Sequence, residues 1–334
     1  MECYNHFKTE KEKNRMRKKV LVAKPFYKKF SPTGYQMLLD QGYDVVTTEL
    51  DRDYFLEELI PLVGDIDGCI ANCEPWGEEA LSAAPNLKIL ARYGTGMNSV
   101  DTEAVRRHGV ICTNCPGINA NPVAEHVMAM LLGALRDLPN LSDSTKKGLW
   151  KTGIFRELTG ATVGILGFGF IGQLVAKKLI GFDCRVIACD IAPNYEAAEK
   201  YRVTFTGFEE LLAQSDYIIV LVPLVPDTVE MINKESLRKT KPGVVFVSDA
   251  RGEVVDESAM FEALLSGQVS YFATDVFVHE PATPENTPLL RLPNVIATPH
   301  NGAETYENGE RCGILTARQI IDALEGREPA HRQV

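Results

Sequence analysis

The sequence predicts an α/β protein of two domains, each a doubly wound parallel sheet. Three observations carry that prediction. Short apolar runs rich in Val and Ile alternate with stretches at helical spacing, as strand–crossover–strand units require. The alternation runs twice, once before and once after a long apolar segment at 121–138. The chain has 334 residues and is 45% hydrophobic, enough to bury two cores.

The elements follow in order. Residues 1–17 read as a disordered leader, because "KTEKEKNRMRKK" mixes both charges without an apolar face, and Met16 offers an alternative start. "KKVLVAKP" is a strand, "PTGYQMLLDQG" a helix stopped by glycine, "YDVVTTE" a strand and "FLEELIPLVG" a helix. "IDGCIAN", "GEEALSAAPN", "LKILARYG", "TEAVRRHG" and "VICTNCPG" continue as strand, helix, strand, helix, strand. "NPVAEHVMAMLLGALRDL" is the longest helix by pattern, with proline in its first turn, and a less periodic segment carries Trp150. A second series opens with "GATVGILGFGFIGQLVAKKLIGFDCRVIACD". It continues through "VTFTGFEELLAQSDYIIVLVP", "KPGVVFVSDARG", "ESAMFEALLSGQVSYFATDV" and "NVIATPH". "TYENGERCGILTARQIIDALEG" closes the chain as a helix.

Composition excludes some classes of partner. Net charge is −10 and the pI about 5.2, which argues against a nucleic-acid polyanion. No apolar stretch reaches the roughly 20 residues of a membrane span, and no signal-peptide core is present. The expected setting is therefore cytoplasmic. Of the eight cysteines, several sit in apolar runs, where cysteine behaves as a small hydrophobe. Cys112 and Cys115 have metal or redox spacing, but no second such pair accompanies them. Reduced thiols and no metal site are expected.

Gly167-Phe168-Gly169-Phe170-Ile171-Gly172 follows an apolar strand and opens a helix, the context that gives this glycine spacing its meaning. Such glycines let a turn tighten and let the backbone approach a pyrophosphate at the helix N-terminus. Asp190 ends the next strand. Its carboxylate suits a ribose diol and would repel a 2′-phosphate, and no arginine follows it. The expected cofactor is NAD.

Three polar stretches end strands in this half: "SDARGEVVD", "TDVFVHEP" and "TPHNGAET". Ligands of open α/β sheets gather beyond the carboxyl ends of strands, so Arg251, Asp275, Glu280 and His300 are expected to converge there. In "DVFVHEP", His279 is the residue a metal would need, and it reads instead as a turn residue. His126 reads as packing or as support for a site residue.

At this point the chain resembles the D-isomer-specific 2-hydroxyacid dehydrogenases, in particular their phosphoglycerate dehydrogenase-like branch. The motifs are "ARYGTGMNSVD", "NCPGINANPVAEH", "GFGFIG" with Asp190, "LVPLVPDTVEMIN", "ARGEVVD", "DVFVHEP" and "TPHNGAET", in order over about residues 18–325. The resemblance implies a Rossmann NAD-binding domain at 121–303. It also implies a flavodoxin-like substrate domain at 18–120 to which 304–334 returns. The implied activity is NAD-dependent interconversion of a D-2-hydroxy acid and its 2-keto acid, of the glyoxylate or hydroxypyruvate reductase kind as much as phosphoglycerate dehydrogenase. An NAD(H)-sensing, corepressor-like binding protein of the same fold is the alternative.

By the same resemblance, Arg251 binds the substrate carboxylate and C2 oxygen, His300 is the acid/base, and Glu280 is its carboxylate partner. Asp275 meets the nicotinamide amide. Gly167, Gly169, Phe170, Ile171, Gly172, Asp190, Pro223, Ala250, Arg251, His300 and Gly302 are the remaining cofactor positions. Tyr93, Gly94, Thr95 and Gly96 bind substrate, chiefly through their backbone. A homodimer is expected through the region that includes the long helix and its follow-on to Trp150.

Two positions depart from the family pattern. Asn301 follows the histidine where an apolar residue is usual. "NCEPWGEE" lacks the arginine that phosphate-binding relatives carry, and Glu74 there would repel a phosphate dianion if it faced the cleft. A small non-phosphorylated acid is therefore expected to serve at least as well as phosphoglycerate.

Overall fold

The structure is a computed structural model and describes residues 17–334. All but the last residue of the expected leader lies outside the described residues. The chain divides into two compact units, one of residues up to Asn119 together with Glu304–Val334, the other Ala120–Ala303.

The first unit is built on a parallel sheet of β1 (Lys19–Val22), β2 (Asp44–Thr47), β3 (Gly68–Ala71), β4 (Ile89–Arg92) and β5 (Ile111–Thr113), in the order β2-β1-β3-β4-β5. β3 is buried on both faces, which accounts for its unbroken small and apolar run. The C-terminal helix Tyr306–Leu324 packs on this sheet and against the helix Pro32–Asp40. The approach is close. A Cβ on Gly34 would lie 2.5 Å from the Gly313 carbonyl oxygen, so the two helices meet where neither has a side chain. The helix expected over 55–64 is shorter. Leu56–Leu59 is α-helical and Ile60–Leu62 tightens to a 3-10 turn around Pro61, which has no N–H to continue the ladder.

The second unit has seven parallel strands: β6 (Thr162–Leu166), β7 (Arg185–Cys189), β8 (Val203–Phe205), β9 (Tyr217–Val220), β10 (Val244–Ser248), β11 (Val269–Thr274) and β12 (Val295–Ala297). Their order is β12-β11-β10-β9-β6-β7-β8. The order reverses between β6 and β9, and the glycine loop leaves β6 at that crevice.

The long helix spans Ala120–Leu135. Asp137 then turns left-handed at φ 48°, and a second helix, Leu138–Lys146, begins where the sequence showed only loss of periodicity. Eleven of the sixteen residues of the long helix are buried, and seven of them, from Ala124 to Leu135, join the core of β6, β7, β9, β10 and β11 in their own unit. Much of the apolar face of this helix is therefore packed within the second unit. Exposed apolar side chains lie farther along, at Leu138, Leu149, Trp150 and Ile154. Among the described residues no helix is long and apolar enough to cross a membrane.

Candidate active site

The glycine loop has the shape that its spacing predicts. Gly167 has φ +93°, and a Cβ there would meet the Leu221 carbonyl carbon at 2.8 Å. Gly172 lies so near the loop that a Cβ would sit 2.3 Å from the Gly167 carbonyl oxygen. A Cβ on Gly169 would meet nothing within 4 Å, and this residue begins the ten-residue helix Phe170–Leu179. Open space at a helix N-terminus, with a tight turn behind it, fits a pyrophosphate. Phe170 and Ile191 are exposed beside the loop and Ile171 is half-buried, so an adenosine would find apolar surface there. Asp190 Oδ2 accepts the Phe168 amide at 2.6 Å and Oδ1 accepts the Ala192 amide at 2.8 Å. The carboxylate thus also holds the loop in place.

Beyond β10, β11 and β12 the polar stretches assemble. His300 has a left-handed backbone, φ 52°, uncommon for a side chain of this size. That turn brings Nδ1 to 2.8 Å from Glu280 Oε2, leaving Nε2 for another partner. Glu280 Oε1 accepts the Phe277 amide at 3.1 Å, which fixes the carboxylate. The hydrogen bond to Glu280 raises the His300 pKa above the ordinary histidine value. For Glu280, burial pushes upward, but the bond to His300 and the imidazolium charge outweigh it, and the carboxyl sits below its usual range. Arg251 follows β10, and its Nη1 donates to the Ala250 carbonyl at 2.7 Å. The Pro223 carbonyl, just past β9, accepts from Thr228 Oγ1 at 2.6 Å.

Behind this pair lies a second polar group. Asp275 is fully buried. Its Oδ1 accepts from Thr298 Oγ1 at 2.5 Å and the Asn301 amide at 3.1 Å, and its Oδ2 accepts the Gly302 amide at 2.8 Å. The backbone N–H of Asn301, the position that departs from the family, therefore helps hold Asp275. His126 Nε2 lies 3.0 Å from Thr298 Oγ1 and 3.5 Å from Asp275 Oδ1. The bond to Asp275 raises the His126 pKa. Burial would raise that of Asp275, yet its hydrogen bonds bring it below the ordinary value.

Asp249 is the residue that sequence reasoning missed. Its Oδ2 is buried with no hydrogen-bond partner among the described residues. The available signal was an acid ending the apolar strand "VVFVSD", two places before Arg251. His279 is exposed.

In the first unit, the loop after β4 is held from several sides. The Tyr93 hydroxyl donates to the Gly309 carbonyl at 2.7 Å. Thr95 Oγ1 donates to the Cys115 carbonyl at 2.9 Å, and the Cys115 amide donates to the Gly94 carbonyl at 2.9 Å. The side chain of Tyr93 is thus spent on structure. Among the described residues, the amides of Thr95 and Gly96 make no hydrogen bond within the chain. Cys112 and Cys115 are buried free thiols, and Cys115 hydrogen-bonds with Cys312.

The condition for Glu74 to repel a phosphate dianion, that its carboxylate be open to a ligand, is not met. Glu74 is fully buried. Its Oε1 accepts from Trp76 Nε1 at 3.0 Å, and its two oxygens accept the Asn72 amide at 3.1 and 3.0 Å. Arg92, by contrast, has no carboxylate within ion-pair distance among the described residues, and its Nη2 lies 3.3 Å from Cys73 Sγ.

Comparison with known proteins agrees with this layout. A family model described as "D-isomer specific 2-hydroxyacid dehydrogenase, NAD binding domain" matches residues 128–302. The D-3-phosphoglycerate dehydrogenase of Archaeoglobus fulgidus is 38% identical over 312 residues, 92% of this chain and 58% of its own length. The chain therefore spans little more than half of that relative. The glyoxylate reductase of Pyrococcus furiosus is 34% identical over 319 residues, 92% of this chain and 94% of its own. Among solved structures, the TT0316 protein of Thermus thermophilus superposes with a TM-score of 0.86 at 32% identity, covering 95% of this chain and 100% of its own.

Proposed function

The chain belongs to the D-isomer-specific 2-hydroxyacid dehydrogenase family, and we propose that it interconverts a D-2-hydroxy acid and its 2-keto acid with NAD. The observation that carries this reading is the His300–Glu280 pair, 2.8 Å apart beside Arg251 at the carboxyl ends of the strands. When bound, NAD supplies or accepts a hydride at its nicotinamide. The chain's residues handle the proton and the charge. In the reductive direction His300 gives a proton from Nε2 to the C2 oxygen, and Glu280 holds the opposite ring nitrogen and favours the protonated ring. In the oxidative direction neutral His300 takes the hydroxyl proton. Arg251, always charged and fork-shaped, neutralises the substrate carboxylate and polarises the C2 oxygen. The unpaired amides of Thr95 and Gly96 suit a substrate oxygen. Asp275, fixed by Thr298, the Asn301 and Gly302 amides and His126, is the acceptor for the nicotinamide amide.

Asp190 supports NAD over NADP, since a 2′-phosphate would be repelled. The dehydrogenase and reductase named above lend the corepressor reading no support. Substrate choice is open to phosphorylated acids as well, because Glu74 is buried and Arg92 is a cation without an anionic partner. A homodimer is supported by Trp150 at 87% exposed and Ile154 at 102%. Such side chains on one segment are what an interface would cover.

The test is consumption of NADH with glyoxylate, pyruvate, hydroxypyruvate and phosphohydroxypyruvate. Turnover of at least one is expected. Tight NADH binding without turnover of any 2-keto acid would return the reading to a binding protein.

A further inference from the structure

We propose that Asp249 couples a proton to the oxidation state of the bound cofactor: ionised, it favours the cationic oxidised nicotinamide, and protonated, it favours the neutral reduced one. The inference rests on the NAD-dependent reading above.

Geometry carries it. A Cβ built on Gly302 would lie 2.9 Å from Asp249 Oδ2, 3.2 Å from Asp275 Oδ2 and 3.2 Å from His126 Cδ2. Two carboxylates and an imidazole therefore converge on one glycine. The nearby donors are taken unequally. Asp275 receives the hydrogens of Thr298, Asn301 and Gly302, while Asp249 Oδ2 receives none. One ligand atom each from His126, Asp249 and Asp275 lie within 4.8 Å of one another, a donor set that invites a metal. The hydrogen bonds on Asp275 from Thr298, Asn301, Gly302 and His126 leave little of it for a cation, and a proton on Asp249 relieves the same repulsion.

Two carboxylates this close cannot both ionise easily, and the one without hydrogen bonds takes the proton. Burial, then the charge of Asp275, push the Asp249 pKa up to about 7. His126 from the long helix, His300 beyond β12 and Arg251 beyond β10 oppose that rise, and Glu280 faces His300 in turn. The acid/base step does not use Asp249.

The sign follows from charge. A cationic ring placed near Asp249 lowers its proton affinity, so NAD⁺ binding expels a proton around neutrality. By reciprocity NAD⁺ binds more tightly as pH rises through that window. The neutral reduced ring leaves the proton in place. One pKa unit of coupling corresponds to about tenfold in relative affinity.

The experiment measures Kd for NAD⁺ and NADH from about pH 6 to about pH 8.5 in the wild type and in Asp249→Asn. In the wild type the ratio Kd(NAD⁺)/Kd(NADH) should fall by about tenfold across the range. Asp249→Asn should match the wild type at the acid end and bind NAD⁺ about tenfold more weakly at the alkaline end, with NADH affinity unchanged. A wild-type measurement protects the test if the variant fails to fold. Calorimetry at neutral pH in buffers of different ionisation enthalpy should show protons released on NAD⁺ binding and not on NADH binding. Parallel pH curves in the two chains, or equal proton release with both nucleotides, would overturn the proposal. Binding of neither nucleotide at any pH would instead overturn the NAD reading on which it rests.

Discussion

The two parallel sheets use their carboxyl ends differently. Beyond β10, β11 and β12 of the second unit stand Asp249, Arg251, Asp275, Glu280 and His300; Glu280 and His300 hold each other, and the charge of Asp275 helps raise the pKa of Asp249. Beyond β1, β3 and β4 of the first unit the charges are largely spent on structure. Lys24 Nζ pairs with Glu304 at 3.0 Å, and Glu74 is consumed by Trp76 and Asn72. The amides of Thr95 and Gly96 are left without a hydrogen bond among the described residues, and Arg92, which has no carboxylate partner there, donates to the Tyr93 carbonyl and to Cys73 Sγ. Proton transfer needs titratable side chains poised near working pH, so that half announces itself in residue types. Recognition of an oxyanion can be done by amides, which any sequence supplies.

The largest expected effect breaks the chemical half. His300→Ala removes the proton donor and should lower kcat by on the order of 10² to 10⁴ while NADH still binds; stopped-flow hydride transfer and a nucleotide titration check the two parts.

The matching test of the first unit concerns stability. Trp76 is fully buried and its Nε1 donates to Glu74. Trp76→Ala should destabilise by about 3–5 kcal/mol from lost packing alone, with the buried Glu74 oxygen losing its donor as well. Chemical denaturation should place the loss in the first unit, leaving NADH affinity of the second unit nearly intact. Equal loss of both would show that the two units do not hold their sites independently.

A smaller effect sharpens the cofactor side. NAD should be preferred over NADP by on the order of 10² in kcat/KM, roughly 2.7 kcal/mol. Asp190→Ala should narrow that ratio, at some loss for NAD itself because Asp190 also holds the Phe168 and Ala192 amides. Steady-state kinetics with both cofactors decides it. The smallest effect lies at the surface. Trp150→Ser should leave folding unchanged and weaken self-association, read by light scattering across concentration.

These comparisons also explain what the sequence made legible. Alternating runs and the loop from Gly167 to Gly172 gave the two sheets, because both depend on local pattern. Helices of four to seven residues, Tyr27–Phe30, Lys234–Arg238 and Tyr195–Tyr201, escaped, being too short to show a helical period. The break at Asp137 escaped because a left-handed aspartate leaves only a weak trace in a helical pattern. In the site, Glu280 and His300 were legible as residue types on successive strand ends. The burial of Glu74 was not, since it depends on Trp76 turning inward two residues later. Nor was the Asp249 cluster, whose His126 comes from a helix far earlier in the chain.

The central claim is that Glu280 holds His300 as the acid/base, and the pH dependence of kcat/KM in both directions, in the wild type and in Glu280→Gln, tests it most directly. Glu280 raises the His300 pKa, so the neutral amide should lower it. Reduction needs the protonated ring and is lost as pH rises through that pKa; in the variant it should be lost at lower pH. Oxidation needs the neutral ring and appears as pH rises through the same pKa, so its acidic limb should also move to lower pH. Movement of both limbs in the same direction is the predicted result. Limbs that stay where the wild type has them would contradict the account.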